Sequence, residues 1–493
     1  MSNPSPEPAP SNSPSISLVR NWITSLGLFI AVGGLFSFFL LLVMDAISTN
    51  SNPYLGILAY MIAPGFVVIG LGVGLAGILI RRRQAMKRTG LRPPLKIDFS
   101  LPQSRKAFGA FLVCATFVLL LSAVGSYKTY HFTESVQFCG ESCHKVMGPE
   151  LITYRQGSHA RVLCAECHIG KGAGWYVKSK LSGTYQVYAT TLDKYPRPIP
   201  TPIKNLRPAQ ETCEQCHWPA KFVGNLERTY NYYLTDETNT QFSVRMLMKV
   251  GGADPTHGPV GGIHYHMNVA NKIEYVASDE ARQKIPWVRL TDPQGVVTEF
   301  RTSKFTNAVD TADMRRMDCM DCHNRPAHRY KTPNNAVNLA MTLGNIDPSI
   351  HWVKSNSVFI LTRSYTNETQ ALQSIATYLE SKYTGDARVK KVISEVQKIY
   401  QGNFFPEMKA SWAAYPDNIG HKDWPGCFRC HDGQHKTADG KKSITASDCS
   451  ACHTILAQGN GPDLLQLTPT NQKFKHPGDD VDGGCNDCHT GGL

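Results

Sequence analysis

Near its C-terminus the chain reads Cys427-Phe-Arg-Cys430-His431, Cys449-Ser-Ala-Cys452-His453 and Cys485-Asn-Asp-Cys488-His489, three copies of the pattern Cys-x-x-Cys-His. Three more copies lie upstream, at Cys164-Ala-Glu-Cys167-His168, Cys213-Glu-Gln-Cys216-His217 and Cys319-Met-Asp-Cys322-His323. A looser pair with one additional residue, Cys139-Gly-Glu-Ser-Cys143-His144, precedes them all. Numbered along the chain, motifs 1 to 7 contain 14 of the 15 cysteines, and a histidine directly follows each pair. One pattern repeated in this way indicates one kind of site built seven times.

This pattern is the attachment signature of c-type haem. The two thiols add to the vinyl groups of the haem, and the adjacent imidazole reaches the iron as its proximal ligand. Zinc sites need four ligands, so the motifs would have to pair, and seven is an odd number. Disulfides would leave the histidine of each motif unexplained. We therefore predict seven covalently bound haems, with His144, His168, His217, His323, His431, His453 and His489 as proximal ligands.

Ten further histidines are available as second axial ligands, which electron carriers use to keep their iron six-coordinate. Those predicted from their closeness to a motif are His159, His328, His421, His435 and His476. His264 and His266 lie in the glycine-rich stretch Gly261-Gly262-Ile263-His264-Tyr265-His266 and are further candidates. Met147 is a candidate thioether ligand for motif 1. We expect ordinary structural roles for His131 and His351.

Three apolar runs without Asp, Glu, Lys or Arg lie at 22–44, 54–80 and 108–125. They contain 23, 27 and 18 residues, and a bilayer crossing needs about 20. Cys114, in the third run, is expected to be a buried thiol. The loop between the second and third runs carries nine basic residues against Asp98 alone, and such loops stay in the cytoplasm. We therefore predict a three-pass inner-membrane protein with a cytoplasmic N-terminus and a periplasmic region after the third run.

The distribution of charge along the sequence agrees with this membrane topology. Much of the formal net charge of +12 belongs to that one loop, so it indicates orientation in the lipid bilayer and not a nucleic-acid partner. The predicted fold is a membrane-anchored multihaem cytochrome c. It has three transmembrane α-helices and a haem-packed, mostly α-helical or irregular periplasmic region with a small β insertion.

Domain boundaries are predicted from the spacing of the motifs. The predicted units are an N-terminal tail and membrane anchor (1–128), a four-haem domain (129–335), a helical connector (336–410) and a three-haem domain (411–493). The β insertion covers roughly 225–312, where Asp-Pro-Gln-Gly joins two strand-like segments, 287–291 and 296–300, as in a hairpin. In the connector, helices are predicted from the N-cap Asn367 to about Tyr383, and from about Ala387 to Tyr400.

The first four motifs resemble those of the NapC/NirT family of membrane-anchored multihaem quinol dehydrogenases. The resemblance rests on Phe138-Cys139 in motif 1, Ser158-His159 before motif 2 and Pro326-Ala327-His328 after motif 4. It implies that the haem nearest the membrane accepts electrons from quinol, and that His159 and His328 are distal ligands. It also implies functional lysines after motif 2, where this chain has Lys171, Lys178 and Lys180. In its overall layout the chain is more similar to the heptahaem inner-membrane cytochromes of metal-reducing bacteria.

The expected function is therefore electron transfer from the membrane quinol pool through seven haems to periplasmic or outer-membrane cytochromes, in anaerobic or extracellular respiration. Lys180 is the preferred quinol-site residue, and Lys178, Glu134 and Asp193 are further candidates as proton acceptors. The same path would also serve quinone reduction. Two alternatives stay open: an electron-transfer subunit of a larger membrane complex without its own quinol site, and a terminal oxyanion reductase. The reductase would need one haem with an open axial position.

Overall fold

The computed structural model describes residues 21–47, 58–89, 100, 102–142, 144–170, 172–203, 206–252, 261–267, 270–445 and 449–478. The chain separates into two compact units, Met1–Ser142 and Cys143–Leu493. Motif 7 and Cys143 of motif 1 lie outside the described residues. The finer division of the region after the membrane anchor into three domains stays a prediction.

The first unit consists mainly of long helices. Its helices are α1 (Trp22–Ile47), α2 (Ala63–Thr89), α3 (Pro102–Thr133) and α4 (Val136–Glu141), and a π-helical turn, Leu58–Ile62, leads directly into α2. α1, α2 with its π-helical turn, and α3 are each long and apolar enough to cross a membrane, in agreement with the three predicted spans. Ser135 begins α4, where its side chain accepts a hydrogen bond from the backbone N–H of Phe138.

Small residues allow α1 and α2 to approach each other closely. A Cβ atom on Gly27 would lie 2.2 Å from the backbone nitrogen of Gly74, and one on Gly70 would lie 2.4 Å from that of Ala31. The Thr24 hydroxyl donates a hydrogen bond across the pair to the carbonyl of Gly74 at 3.4 Å. Small residues combined with a polar contact between helices are typical of helix pairs in membranes.

The third long helix is more exposed than the other two. Ser126 donates a hydrogen bond to the carbonyl of Tyr60 in the π-helical turn, at 3.1 Å. Within the described residues, none of the apolar window of α3 is buried. The thiol of Cys114 is therefore exposed and not buried as we expected, because the apolar surroundings of this segment would be lipid and not protein.

The second unit combines helices with short turns around the motifs. Its described helices are α5 (His144–Arg155), α6 (Cys164–His168), α7 (Ala173–Thr191), α8 (Ala209–Cys213), α9 (Cys319–Cys322), α10 (Pro333–Thr342), α11 (Val353–Leu361), α12 (Glu368–Lys382) and α13 (Val389–Asn403). Single 3₁₀ turns occur at Pro219–Lys221, Ile263–Met267, Thr311–Asp313, Pro406–Met408, Gly426–Arg429, Cys449–Ala451 and Gly461–Leu465.

The main hydrophobic core of this unit lies among α10 to α13. Ile375 and Leu379 of α12 and Val396 of α13 are completely buried there. Both predicted connector helices are confirmed, and the side chain of Asn367 caps α12 by accepting from the backbone N–H of Gln370 at 2.8 Å. This region is helical because its apolar residues recur at helical spacing and bury one face of each helix.

Two antiparallel sheets complete the second unit. Their strands are β1 (Leu226–Tyr233), β2 (Gln241–Met248), β3 (Lys272–Val276), β4 (Trp287–Thr291), β5 (Val297–Arg301), β6 (Arg315–Arg316) and β7 (His453–Gly459). The strand orders are β1-β2-β7 and β5-β4-β3-β6. The predicted hairpin is confirmed by the pairing of Thr291 with Val297. β7 begins at His453 of motif 6 and pairs with β2 of the insertion, so the insertion lies directly against a C-terminal motif.

Candidate haem-binding sites

Each described Cys-x-x-Cys-His motif folds as a single helical turn. In motifs 3, 4 and 5 the backbone N–H of the histidine donates to the carbonyl of the first cysteine, at 2.8, 2.8 and 3.0 Å respectively. Motifs 3, 4 and 5 contain no disulfide among Cys213, Cys216, Cys319, Cys322, Cys427 and Cys430. A turn of this kind brings two thiols and one imidazole to the same short segment, which is what covalent attachment of one haem requires.

The structure places a second histidine opposite the proximal histidine in every motif from 2 to 6. The five pairs and their ring-centre separations are His168–His328 at 6.3 Å, His217–His159 at 6.1 Å, His323–His264 at 6.4 Å, His431–His266 at 5.8 Å and His453–His421 at 6.4 Å. A histidine nitrogen lies about 2 Å from a bound transition metal, so two imidazoles on opposite sides of one ion have ring centres about 6 Å apart. The residues present therefore fit five six-coordinate haem irons.

Backbone carbonyls orient four of the five distal rings. Nδ1 of His159 donates to the backbone carbonyl of Pro326 at 3.0 Å, and Nδ1 of His328 donates to that of Glu150 at 3.0 Å. In the same way Nδ1 of His264 donates to Val250 at 2.5 Å and Nδ1 of His266 to Ile263 at 3.0 Å. A carbonyl oxygen can only accept, so Nδ1 carries the proton and Nε2 keeps its lone pair. Such contacts set the tautomer in which Nε2 binds a metal.

Burial also keeps the proximal imidazoles in the neutral form that binds metals. Burial, with the neighbouring His328, lowers the pKa of His168 to about 4. Burial, with the neighbouring His266, lowers the pKa of His431 to about 4. The pKa of His323 is lowered by burial and by His264. At neutral pH these rings are therefore uncharged and available as ligands.

His435 occupies a different position from the one expected for a distal ligand. Its ring is buried, with Nε2 at 2.7 Å from the carbonyl of Ile285 and Nδ1 at 2.8 Å from the carboxylate of Asp432. Both nitrogens are engaged by protein oxygens, and the iron site of motif 5 already has His266 opposite His431. This arrangement speaks against His435 as an iron ligand and indicates a structural role.

Replacing His435 by alanine tests this correction. We expect the low-spin absorption and EPR signals of all haems to stay unchanged, because no ligand is lost. The free energy of unfolding should fall by about 1–3 kcal/mol, since the Ile285 carbonyl and Asp432 lose a buried partner. A new high-spin haem signal in the His435→Ala variant would show that His435 is a ligand after all.

The other predicted ligands lie in less informative positions. His476 is exposed beside Phe474, and the motif 7 histidine that it would serve lies outside the described residues. Met147 packs against the hydrophobic core, and the side chain of His144 also lies outside the description. His131 stacks edge-on against Tyr127. His351 is exposed, with Nδ1 at 3.3 Å from Glu237.

Motifs 2 to 5 are neighbours in space as well as in sequence. Burial and the nearby Cys164, Glu166 and Cys216 raise the pKa of Cys167, so motif 2 lies close to motif 3. The thiols of Cys213 and Cys319 are hydrogen-bonded to each other, which joins motif 3 to motif 4.

Motifs 5 and 6 extend the same series. Arg429 of motif 5 donates to the backbone carbonyl of Asp321 in motif 4 at 2.6 Å. In motif 6, Cys452 accepts through its carbonyl from the backbone N–H of Lys249 at 2.8 Å. The proximal histidine of motif 6 faces His421, which comes shortly before motif 5 in the sequence. Motifs 2 to 6, which the structure describes, therefore form a continuous series.

A buried carboxylate within motif 4 was not predicted from the sequence. Asp321 accepts hydrogen bonds from the Tyr275 hydroxyl at 2.6 Å, from Arg315 at 3.1 Å and from Arg282 at 3.3 Å. It also accepts from the backbone N–H of Asp318 at 2.8 Å as part of a capping box. The cluster ties motif 4 to the second sheet. The feature of the sequence that could have indicated this charge cluster is the basic pair Arg315-Arg316 just before Asp318 and Asp321.

Three of the predicted quinol-site residues lie on helix α7 or just after it. Lys178 is exposed and lies over the ring of Trp175 at 4.9 Å, while Lys180 on the same helix is half-buried. Asp193 accepts from Arg197 at 2.5 Å. Glu134, in the first unit, lies in the turn between α3 and α4. Lys171 lies outside the described residues.

Comparison with known proteins agrees with the class that these sites define. Residues 101–198 match the NapC/NirT cytochrome c family, N-terminal region. The chain belongs to this family of multihaem membrane cytochromes c, so c-type haem, covalently bound, is its cofactor and electron transport its role.

A particular relative extends the match to nearly the whole chain. The chain is 37% identical over 487 residues to the cytochrome c-type protein ImcH of Geobacter sulfurreducens, covering 95% of each chain. No solved structure matches. The resemblance to NapC/NirT cytochromes that the sequence indicated is thereby confirmed.

Proposed function

We propose that the chain carries electrons from membrane quinol, through haems held at its seven motifs, to periplasmic or outer-membrane cytochromes in anaerobic or extracellular respiration. The observation that carries this proposal is the series of five histidine pairs, each spaced for one iron. When bound, c-type haem supplies one-electron redox chemistry. The residues of the chain set the number of sites, their spacing and the ligands that each site presents.

The proposed orientation places the loop between α2 and α3 in the cytoplasm and the second unit in the periplasm. The nine basic residues of this loop support it through the positive-inside rule. Family membership and the three apolar helices support a location in the inner membrane.

Helix α7 supports a quinol site at the membrane surface. An apolar stripe runs along one face of α7 and its C-cap, with exposed fractions between 49% and 69%, and consists of Leu181, Tyr185, Tyr188 and Leu192. The spacings of four, three and four residues place these side chains on the same face. Leucine and tyrosine beside lysine are typical of a helix that lies in the membrane interface. Quinol would reach Lys178 and Lys180 from the bilayer.

The oxidation of quinol determines which chemical groups the proposed quinol site must provide. Oxidation of one quinol releases two electrons and two protons, so the site needs groups that bind the quinol oxygens and accept protons. We assign Lys180 to the quinol oxygen, because it is the more buried of the two lysines. Lys178 and Asp193 are the proposed proton acceptors, and Glu134 stays a candidate on the sequence alone.

A reductase function is not favoured by the ligands. Such an enzyme needs an open axial position, whereas motifs 2 to 6 each present two facing histidines.

The test uses the purified full-length protein in lipid nanodiscs. A menaquinol analogue added without oxygen is expected to reduce the haems, measured by their absorption bands, and a quinol-site inhibitor is expected to stop the reaction. Dithionite shows in parallel that every haem is reducible. Full reduction by dithionite with none by the quinol would overturn the quinol site and favour the subunit of a larger complex.

Replacing Lys180 by methionine tests the quinol site more closely. Loss of a charged hydrogen bond of about 1.5–3 kcal/mol should slow reduction by menaquinol about tenfold to a hundredfold, with no change in reduction by dithionite. The matched control is Lys194→Met, near the end of the same helix, where the ammonium donates to the Tyr188 hydroxyl at 3.2 Å. Equal loss in both variants would show a general effect of charge and not a specific site.

A further inference from the structure

We propose that the tripeptide His264-Tyr265-His266 provides the distal ligands of two successive haems, those of motifs 4 and 5, and so joins the first four sites to the C-terminal sites. The inference rests on the haem loading in the proposed function, but it does not depend on quinol as the donor. The name HxH junction is used below for these three residues.

The two histidines of the HxH junction face different proximal histidines. The ring of His264 lies parallel to that of His323, at 8° and 6.4 Å between ring centres. The ring of His266 lies at 78° and 5.8 Å from that of His431. Both belong to the 3₁₀ turn Ile263–Met267, in which residues two positions apart point in different directions. One turn therefore serves two iron sites.

The junction is anchored firmly to the rest of the fold. The backbone N–H of Ile263 donates to the carbonyl of Lys249, just after β2, at 2.8 Å. The ring of Phe222 packs against that of His264, with 4.5 Å between the ring centres. Gly262 has a φ of +97°, and a Cβ atom there would lie 2.5 Å from the Lys249 carbonyl oxygen. Only glycine fits this close approach, so the backbone before the junction has little freedom.

A second set of contacts brings the same two motifs together without the junction. Arg429 of motif 5 donates to the carbonyl of Asp321 in motif 4 at 2.6 Å and to that of Arg282 at 2.8 Å. The attachment loops of motifs 4 and 5 are therefore neighbours, as shared ligation through one tripeptide requires.

The arrangement gives the β insertion a function. The insertion separates motif 3 from motif 4 in the sequence, yet its histidines lie opposite His323 and His431. The distance between the two sites is then set by one rigid turn and not by a flexible connection between domains. An electron that passes from the first four sites to the last three would cross at this place.

The test replaces each histidine by methionine in the purified, haem-loaded, full-length protein. Each of His264→Met and His266→Met should convert one bis-histidine haem into a histidine–methionine haem, seen by near-infrared magnetic circular dichroism. One step of the redox titration should move to higher potential, because a methionine ligand raises it. His351→Met is the matched control, since that exposed ring faces no proximal histidine of motifs 2 to 6, the motifs that the structure describes completely, and it should change neither signal.

Removal of one motif shows which haem each histidine serves. In a background with Cys319→Ser and Cys322→Ser, His264→Met should give no histidine–methionine signal, whereas His266→Met should still give one. If a methionine variant loses haem, His264→Gly and His266→Gly with added imidazole provide a second measurement, in which imidazole should restore the low-spin signal.

Two results would overturn the proposal. One is unchanged ligation signals in both methionine variants, and the other is that both variants alter the same haem. Failure of quinol oxidation would leave these signals intact, so the two proposals fail separately.

Discussion

Replacing Cys319 and Cys322 together by serine is expected to lower the haem content from seven to six per chain. Motif 4 then has no thiol to form a thioether bond, while the other six motifs remain. Since motif 4 lies between motif 3 and motif 5, the variant should also lose electron transfer to the last three sites. Haem content would be measured by the pyridine haemochrome assay and by the mass of the intact chain.

Reduction kinetics would distinguish the loss of one haem from the loss of electron transfer to the sites after motif 4. In rapid mixing with quinol, sites before motif 4 should be reduced at the normal rate, and those after it should stay oxidised. The control is Cys114→Ser, because Cys114 lies on α3 and belongs to no motif. It should keep seven haems and normal kinetics. An unchanged haem content in the double-serine variant would contradict the assignment of motif 4.

The Asp321→Ala substitution is expected to destabilise the second unit strongly. It leaves the guanidinium groups of Arg282 and Arg315 and the hydroxyl of Tyr275 without their shared, buried acceptor. Removing one member of a buried charge cluster costs about 3–5 kcal/mol. The measurement is chemical unfolding of the haem-loaded protein, followed by far-ultraviolet circular dichroism.

A surface ion pair provides the control for this prediction. Glu299 lies 3.5 Å from Arg301, and both side chains are substantially exposed, so Glu299→Ala should cost no more than about 1 kcal/mol. The loss of unfolding free energy in Asp321→Asn should lie between the losses in these two alanine variants, because the amide keeps one acceptor oxygen. Equal losses for Asp321→Ala and Glu299→Ala would show that the buried cluster does not stabilise motif 4.

Several elements could be predicted from local patterns. The helix after Asn367 has a capping residue and regular apolar spacing, and the hairpin around 292–295 has a turn sequence between two apolar segments. The first sheet was harder to predict, because β7 pairs with β2 although the two strands come from distant parts of the chain. Strand pairing of this kind depends on tertiary contacts that no short window of sequence contains.

Closeness to a motif in the sequence corresponds to a facing pair of histidines in some places and not in others. His159, His328 and His421 each face a proximal histidine in the structure. His435 comes only four residues after His431, yet its ring is engaged by Ile285 and Asp432. The ring that lies opposite His431 is instead that of His266, which comes from the insertion.

By itself, the sequence determined how many attachment motifs the chain contains, what kind of cofactor such motifs take and which runs are long and apolar enough to cross a membrane. These properties depend on residues that are adjacent in the chain: two thiols and an imidazole in one short motif, or about 20 apolar residues in one run. Only the tertiary structure decided which histidines face each other, which motifs are neighbours and which protein oxygens contact the ring of His435. The physical reason is that an axial ligand must lie across the iron from its partner, and strand pairing and backbone hydrogen bonds bring distant residues to that place.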